Sequence, residues 1–406
     1  MTEHSFQDKI ALKSLEQFRL LSKNGKPKET EWTILSCILV EINEHLEVVA
    51  LGTGSKCIGQ NNLSPNGDIL NDSHAEIICR RSFLLYLYEQ INLSYDNNSS
   101  IFVFEKDNKN LTLNNNVRFH FFTTHVPCGD AAIFPKQNND NFGEIIEDFA
   151  STEEADDNAE QPAKKRKLDI YRTGAKCLEG DQQDPKLEGC GYHILGAVRR
   201  KPGRGDPTLS VSCSDKISKW CHLGIQGSLL YLLINKPIYL SSFTIIGNTP
   251  FSNKALERAL YNRLEHFSMD SPFSQHKLLI GQSTLNFEYV KTETKYPSST
   301  SISWIKVNKT HLLEVAVQGK RQGVTKKNKN TAAARMSICK LNLFKKFINT
   351  VNKLQITLNF DDMDKLKYKT AKTLSKEYTQ ATCTFKNAVR VWTKKPENLS
   401  DFSYDL

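Results

Sequence analysis

A chain of 406 residues, 39% hydrophobic and 24% charged, is long enough to bury a substantial core, which excludes wholesale disorder. Its opening MTEHSFQDKIALKSLEQF mixes both charge signs, and no run approaches the roughly 18 apolar residues of a membrane span. A secretory leader and a membrane anchor are therefore not expected, and the ten cysteines are expected as free thiols or metal ligands. The net charge of +9 is uneven: nine Lys or Arg and no acid lie between Gly319 and Lys346, and nine bases face two acids between Asp364 and Lys395. Such a field favours a polyanion, nucleic acid among them, by counterion release.

In chain order, Trp32 to Ile42 (WTILSCILVEI) and Leu46 to Thr53 (LEVVALGT) are β-branched and apolar about a short polar turn, and predict a buried hairpin. A polar loop runs to about Asn71. From His74 to Leu93, the residues Ile77, Ile78, Leu84, Leu85 and Tyr88 recur at helical spacing, with Asp72 or Ser73 available as the cap. Val117 to Val126 predicts a strand that stops at Pro127, where a second short helix is expected with Cys128 in its first turn. Past Gly143 the stretch EIIEDFASTEEADDNAEQPAKKRKLD turns acidic and then basic with few large apolar groups, and predicts a flexible insertion at about residues 144–169.

Tyr192 to Val198 predicts a strand, KPGRGDPT a Gly-rich turn, and Ser214 to Trp220 a helix. LLYLLINKPIYLSSFTIIG reads as helix then strand, Asn253 to His266 as a helix, and Asp364 to Trp392 as a lysine-loaded helix. Strands alternating with helices, without a convincing linker, point to one α/β layered domain over residues 1–406.

His74-Ala75-Glu76 opens one predicted helix and Pro127-Cys128-Gly129 another. A helix N-terminus carries unpaired N–H groups and partial positive charge, which favour a thiolate and help to position a zinc ligand. Histidine and cysteine thiolates are the usual zinc donors, and three protein ligands leave a fourth position for water. Glu76, two residues past His74, can stand beside that water without binding the metal, the His-x-Glu arrangement of zinc deaminases. The second half of that signature, Pro-Cys-x-x-Cys, is missing, because Gly129, Asp130 and Ala131 follow Cys128. The third ligand comes from among the nine other cysteines, with Cys213 favoured because it follows a predicted strand and opens a helix. Cys37, Cys57, Cys79, Cys177, Cys190, Cys221, Cys339 and Cys383 are most simply buried or free thiols, and His120 and His125 ordinary strand histidines. Gly52 and Gly54 are too sparse for a dinucleotide site.

LNDSHAEIICRRSF, HVPCGDA and SCSDKISKWCHLGIQGSLL, in that order, resemble the catalytic domain shared by adenosine deaminases acting on RNA and on tRNA. YRTGAKC, RRKPGRGDPT, KPIYLSS and QGVTKK are similar to the tRNA-acting branch, so that the resemblance covers nearly the whole chain. It implies a cytidine-deaminase-like α/β fold, a central mixed sheet flanked by helices, with a C-terminal helical extension. It also implies hydrolytic deamination of adenosine to inosine, at the nucleotide 3′ of the anticodon in alanine tRNA. The family's zinc ligands fall on His74, Cys128 and Cys213, its catalytic proton shuttle on Glu76, and its contacts to substrate phosphate or ribose on Ser55 and Lys56. Ala132 follows PCGDA where members that edit messenger RNA have Arg, and no double-stranded RNA-binding domain is expected ahead of the catalytic domain.

The resemblance further implies a buried inositol hexakisphosphate, with matching positions at Asn71, Arg80, Arg81, Lys216, Lys219, Ser228, Lys340, Tyr368, Lys372, Tyr378, Trp392, Lys395 and Asp401. Thr382 stands where the family leads one to expect Lys, and Lys394 where it leads one to expect Glu. Two other readings compete: a deaminase that edits messenger RNA, and a non-catalytic RNA-binding protein that keeps zinc for structure. Glu76 argues against the latter, since a structural site needs no carboxylate and usually has four protein ligands. PAKKRKLD reads as a nuclear import signal, placing the protein in the nucleus, the cytoplasm or both. Nothing in the sequence points to a membrane or to an obligate protein partner.

Overall fold

The computed structural model describes residues 4–107, 109–136, 169–203, 205–234, 236–264, 267–308 and 310–405. The predicted insertion, apart from Asp169, lies outside the described residues, and so does the PAKKRKL run. The predicted hairpin forms as Leu35–Ile42 and His45–Thr53, in antiparallel register with a bulge between Ile38 and Leu39. It sits inside an eight-stranded mixed sheet. From one edge the order is Leu279–Gln282, Ser242–Ile245, Val117–Thr123, the hairpin, Thr300–Val307, Thr310–Val317 and Lys320–Arg321. The first three run parallel and every later pairing is antiparallel.

Both faces of this sheet are covered, which is why its central strands read as near-continuous apolar runs. Ile38, Val40, Phe119 and Phe121 pack toward the Ala75–Tyr95 helix, whereas Cys37, Leu39, Leu51 and Phe122 pack toward the Phe6–Leu20 helix. Burying each large side chain of this kind stabilises the fold by about 1.5–3 kcal/mol, so these two rows set the strand register. Gly52 has a packing role: a Cβ there would lie 2.4 Å from the Cys79 nitrogen and 2.5 Å from the Ala75 carbonyl oxygen. Its bare backbone lets the Ala75–Tyr95 helix approach the sheet closely, and Ser82 and Ser303 share a buried hydrogen bond of 2.9 Å across that contact.

Four predicted elements differ. Residues Asp72–His74 stay extended, paired with Ser55–Cys57, so the helix begins only at Ala75 with His74 at the cap position, in place of Asp72 or Ser73. Cys128 does not open a helix. Gly129 follows it at φ +104°, and only a short 3-10 turn, Asp130–Ala132, comes after. Tyr192 to Val198 forms no strand, because the Ile194 and Gly196 N–H groups donate to the carboxylates of Asp184 and Asp130 instead of a ladder. Among the described residues, pairing there begins only at Arg199–Arg200, with Lys176–Cys177 and through a bridge from Arg200 to Val211. The C-terminal stretch from Asp364 breaks into Tyr368–Thr373 and Lys376–Ala388, since Ser375 at ψ 81° leaves the helical region. Among the described residues no helix is long and apolar enough to cross a membrane.

Candidate active site and adjoining basic cavity

Three segments far apart in sequence meet at one end of the Ala75–Tyr95 helix. His74 arrives on its short strand, Cys128 on the bend after Val117–Thr123, and Cys213 as the first residue of the Cys213–Leu223 helix. Nδ1 of His74 lies 3.5 Å from Sγ of Cys213 and 3.8 Å from Sγ of Cys128, and all three donor atoms fall within 4.8 Å of one another. Among the described residues no other His, Cys, Asp or Glu joins this group. The cluster is one that could hold a metal ion, and three donors with a fourth position open match a catalytic site better than a closed structural one.

Local chemistry locks the two thiols in place. Ser212 caps the Cys213–Leu223 helix, accepting the Asp215 N–H and donating its hydroxyl to the Asp215 carboxylate at 2.6 Å. Arg263 holds the other Asp215 oxygen at 2.7 Å, and the Arg199 N–H donates to the same carboxylate at 3.0 Å. The Ser214 N–H donates to the Cys128 carbonyl at 3.0 Å, and the Cys213 N–H to Cys128 Sγ at 3.3 Å. Gly129 is required at this junction: a Cβ would fall 2.2 Å from the Ser212 hydroxyl oxygen. The hydrogen bond from the Cys213 side, with His74 and Lys201 nearby, holds the Cys128 thiol well below its ordinary pKa against the opposing effect of burial. Burial and the Cys128 charge push Cys213 up.

Sequence reasoning passed over Lys201, which lies in the quoted RRKPGRGDPT segment with no role assigned. Its ammonium is buried and donates to Cys213 Sγ at 3.0 Å and to both Asp72 carboxylate oxygens at 2.9 and 2.8 Å. Lys216 closes on the same carboxylate from the other side. Burial alone would raise the Asp72 pKa, but the two ammonium groups outweigh it and hold Asp72 well below the usual carboxylate range. Lys201 moves the opposite way: burial disfavours its charge, yet Asp72 and the two cysteines keep it protonated. The only signal for Lys201 in the sequence was a lysine inside a glycine-rich segment, and its two partners, Cys213 and Asp72, lie 12 and 129 residues away.

Glu76 follows His74 by two residues and is 1% exposed, and its Oε2 finds no hydrogen-bond partner. A buried carboxylate oxygen without a partner is costly to keep unless it serves the chemistry beside it. His125 lies close by. Its Nδ1 donates to the Val126 carbonyl at 3.0 Å, and burial lowers its pKa while Glu76 and Cys128 pull upward and Lys291 downward. Ser55 and Lys56 pair with His74 and Ser73 across the short ladder, which sets Ser55 directly opposite His74. Gly54 before them sits at φ +126°, with no room for a Cβ against the Ser73 carbonyl at 2.3 Å.

On the far side of Asp72 opens a cavity of about 240 Å³. Of the thirteen positions matched to the inositol phosphate, Asn71, Arg80, Arg81, Lys216, Lys219, Lys340, Tyr378 and Lys395 line it. Tyr368 and Lys372 adjoin, with the Lys372 ammonium 5.5 Å from the Tyr368 ring centroid and its charge acting on Lys340 and Lys219. Ser228 is buried next to Gly227, whose Cβ would meet Arg80 at 2.9 Å. Trp392 packs edge-on against Phe385, and Asp401 pairs with Lys367 at the surface, so neither lines the cavity. Lys372 and Lys395 are exposed residues overall, although the Lys395 ammonium turns into the cavity lining, where it is desolvated.

Among the described residues Asp72 is the one acid in the lining, and the bases repel one another. Burial, then Lys395, Arg81 and Lys372, lower the Lys340 pKa to about 7. Burial and Lys216 lower Lys395 to about 8, and burial with Lys372 and Lys386 takes Lys219 well below its ordinary value. The buried Arg81 Nη2 has no hydrogen-bond partner. Such a lining fits a compact polyanion.

The chain matches the family model for the adenosine-deaminase (editase) domain over residues 50–396. It is 37% identical to the tRNA-specific adenosine deaminase 1 of Drosophila melanogaster, over 97% of this chain and 96% of that protein. The protein of the same name from Homo sapiens is 32% identical over 97% of this chain and 99% of its own length. The double-stranded RNA-specific adenosine deaminase of Mus musculus is 28% identical over 98% of this chain but only 32% of its own length.

Proposed function

The chain belongs to the adenosine-deaminase (editase) family, and on that premise we propose that it converts adenosine to inosine in tRNA by hydrolysis. The observation that carries this reading is the buried, unpartnered Glu76 oxygen at the helix end where His74, Cys128 and Cys213 converge. Those three side chains would hold zinc, which would supply the Lewis acidity that activates water for attack near neutral pH. Glu76 then takes one proton from the attacking water and returns it to the departing amine, so that water and adenosine become inosine and ammonia. Lys201 balances the negative charge of the two thiolates through Cys213 and keeps that side chain in its rotamer. Ser55 and Lys56 contact the ribose or phosphate of the target nucleotide.

The expected target is the nucleotide 3′ of the anticodon in alanine tRNA. Identity to the tRNA-specific relatives over almost their full length supports tRNA over a messenger RNA duplex. The basic cavity takes inositol hexakisphosphate, whose phosphates neutralise lysines and arginines drawn from both ends of the chain. The domain is a single unit carrying an insertion at about residues 144–169, and PAKKRKLD within it supports a nuclear share. Nucleoside analysis of treated tRNA tests the reading: inosine is expected with the parent protein and none with Glu76→Gln.

A further inference from the structure

Glu31–Trp32 forms a short parallel pair with Tyr296–Pro297, apart from the main sheet. Its position is tied to the strands that carry the catalytic loops. The Ile34 carbonyl accepts the N–H of Gly54, directly before Ser55, at 3.1 Å. The Leu35 carbonyl accepts the N–H of Thr124, directly before His125, at 2.9 Å. Two residues of extended chain reach at most about 7 Å, so Trp32 lies at the end of the sheet from which Ser55 and His125 emerge.

The Lys291 ammonium lies 5.9 Å from the Trp32 ring centroid, and with Glu76 and Cys128 it contributes to the field at the His125 imidazole. In the same segment, the Lys295 ammonium is 5.9 Å from the Tyr289 ring, and the Tyr289 carbonyl accepts the Thr33 N–H at 3.1 Å. Tyr296 is 74% exposed. The segment YVKTETKY therefore sets rings and ammonium groups beside a half-buried tryptophan at the sheet end that carries the site.

Glu288 and Glu293 balance Lys291 and Lys295 in charge, so this segment is a poor collector of phosphate. What it offers is ring faces. An adenine reaches a buried carboxylate only when its nucleotide has left the base stack, which strips a neighbouring base of one stacking partner. Aromatic side chains replace such partners in loops and single strands, whatever the base.

We propose that Trp32, braced by Lys291, is a stacking platform for a nucleobase adjacent to the adenosine being deaminated, the occupant being an unpaired RNA loop. This rests on the reading above that the substrate is adenosine in tRNA.

The test compares kcat/KM on three alanine tRNA molecules: intact, with the 5′ neighbour of the target abasic, and with the 3′ neighbour abasic. Trp32→Ala is expected to lose about tenfold on the intact RNA, mainly through KM, the scale of one base–aromatic stack. On one of the two abasic RNAs the parent enzyme is itself about tenfold slower and Trp32→Ala costs nothing more. Trp32→Phe retains most activity, and metal content and salt dependence stay as in the parent. Lys291→Ala, an exposed change that spares the fold, is expected to lose about threefold with the same RNA dependence. Equal losses on all three RNAs would assign Trp32 a structural role and overturn the platform, as would no loss on any. Absence of inosine from intact RNA with the parent enzyme overturns the functional reading itself, and the platform with it.

Discussion

The Lys201 ammonium donates to Sγ of Cys213 at 3.0 Å while the same nitrogen bridges both oxygens of Asp72, a residue that also faces the basic cavity. One buried cation thereby joins a cysteine of the candidate metal cluster to the acid that lines the basic cavity. Supporting groups of this kind typically change metal affinity by 10- to 100-fold when removed. Lys201→Met, similar in length and uncharged, is expected to release zinc to a competing chelator about 10- to 100-fold more readily than the parent. Retention equal to the parent would show that Cys213 needs no counter-charge.

Glu76→Gln keeps the shape of the side chain and loses the ability to carry a proton. Zinc content, thermal stability and tRNA affinity should match the parent, while turnover falls by at least about 100-fold. Single-turnover deamination measures this. A variant within about tenfold of the parent would mean that another group moves the proton.

How far the sequence discloses this site depends on distance along the chain. His74 and Glu76 are neighbours and declare themselves, and the Leu35–Ile42 and His45–Thr53 hairpin follows from its apolar pattern. Cys213 lies 85 residues from Cys128, so its place at a predicted helix start could only favour it among nine thiols, and the family resemblance made the choice firm. Helix termini were the weak point: strand pairing with Ser55 makes His74 the cap, and the positive φ of Gly129 denies Cys128 a helix. The Lys340–Lys353 helix was hidden by attention to charge, although Leu341, Phe344, Ile348 and Val351 recur at helical spacing on its buried face. Thr300–Val307 was hidden by Ser301 and Ser303, polar residues that are buried because they face the Ser73 carbonyl and Ser82.

The basic cavity makes stability depend on pH in a direction that can be worked out. Lys340 has a folded pKa of about 7 against an ordinary 10.5, so between these values the unfolded chain binds more protons than the folded one. For protein freed of polyphosphate, the penalty is complete below about pH 7 and is relieved as pH rises toward 10, so Tm should rise over that window. Lys395 adds less, because its folded pKa of about 8 lies closer to the ordinary 10.5. Added inositol hexakisphosphate should raise Tm at pH 7 and flatten the profile. A Tm that falls from pH 7 to 9.5 without the polyphosphate, or ignores its addition, would contradict the assignment. Cells that lack the polyphosphate are expected to yield little soluble protein.

Deleting Lys164 to Lys167 should shift a fluorescent fusion from nucleus to cytoplasm without changing deamination of tRNA by the purified protein. An unchanged nuclear share would remove the import role. Lost deamination would assign the four residues to RNA contact instead.

The central claim is tested most directly by incubating alanine tRNA with purified, zinc-replete protein and sequencing the product. Inosine pairs as guanosine during reverse transcription, so the account predicts an adenosine-to-guanosine change at the nucleotide 3′ of the anticodon, absent with Glu76→Gln. An unchanged adenosine at that position, from folded protein with its zinc in place, would contradict it.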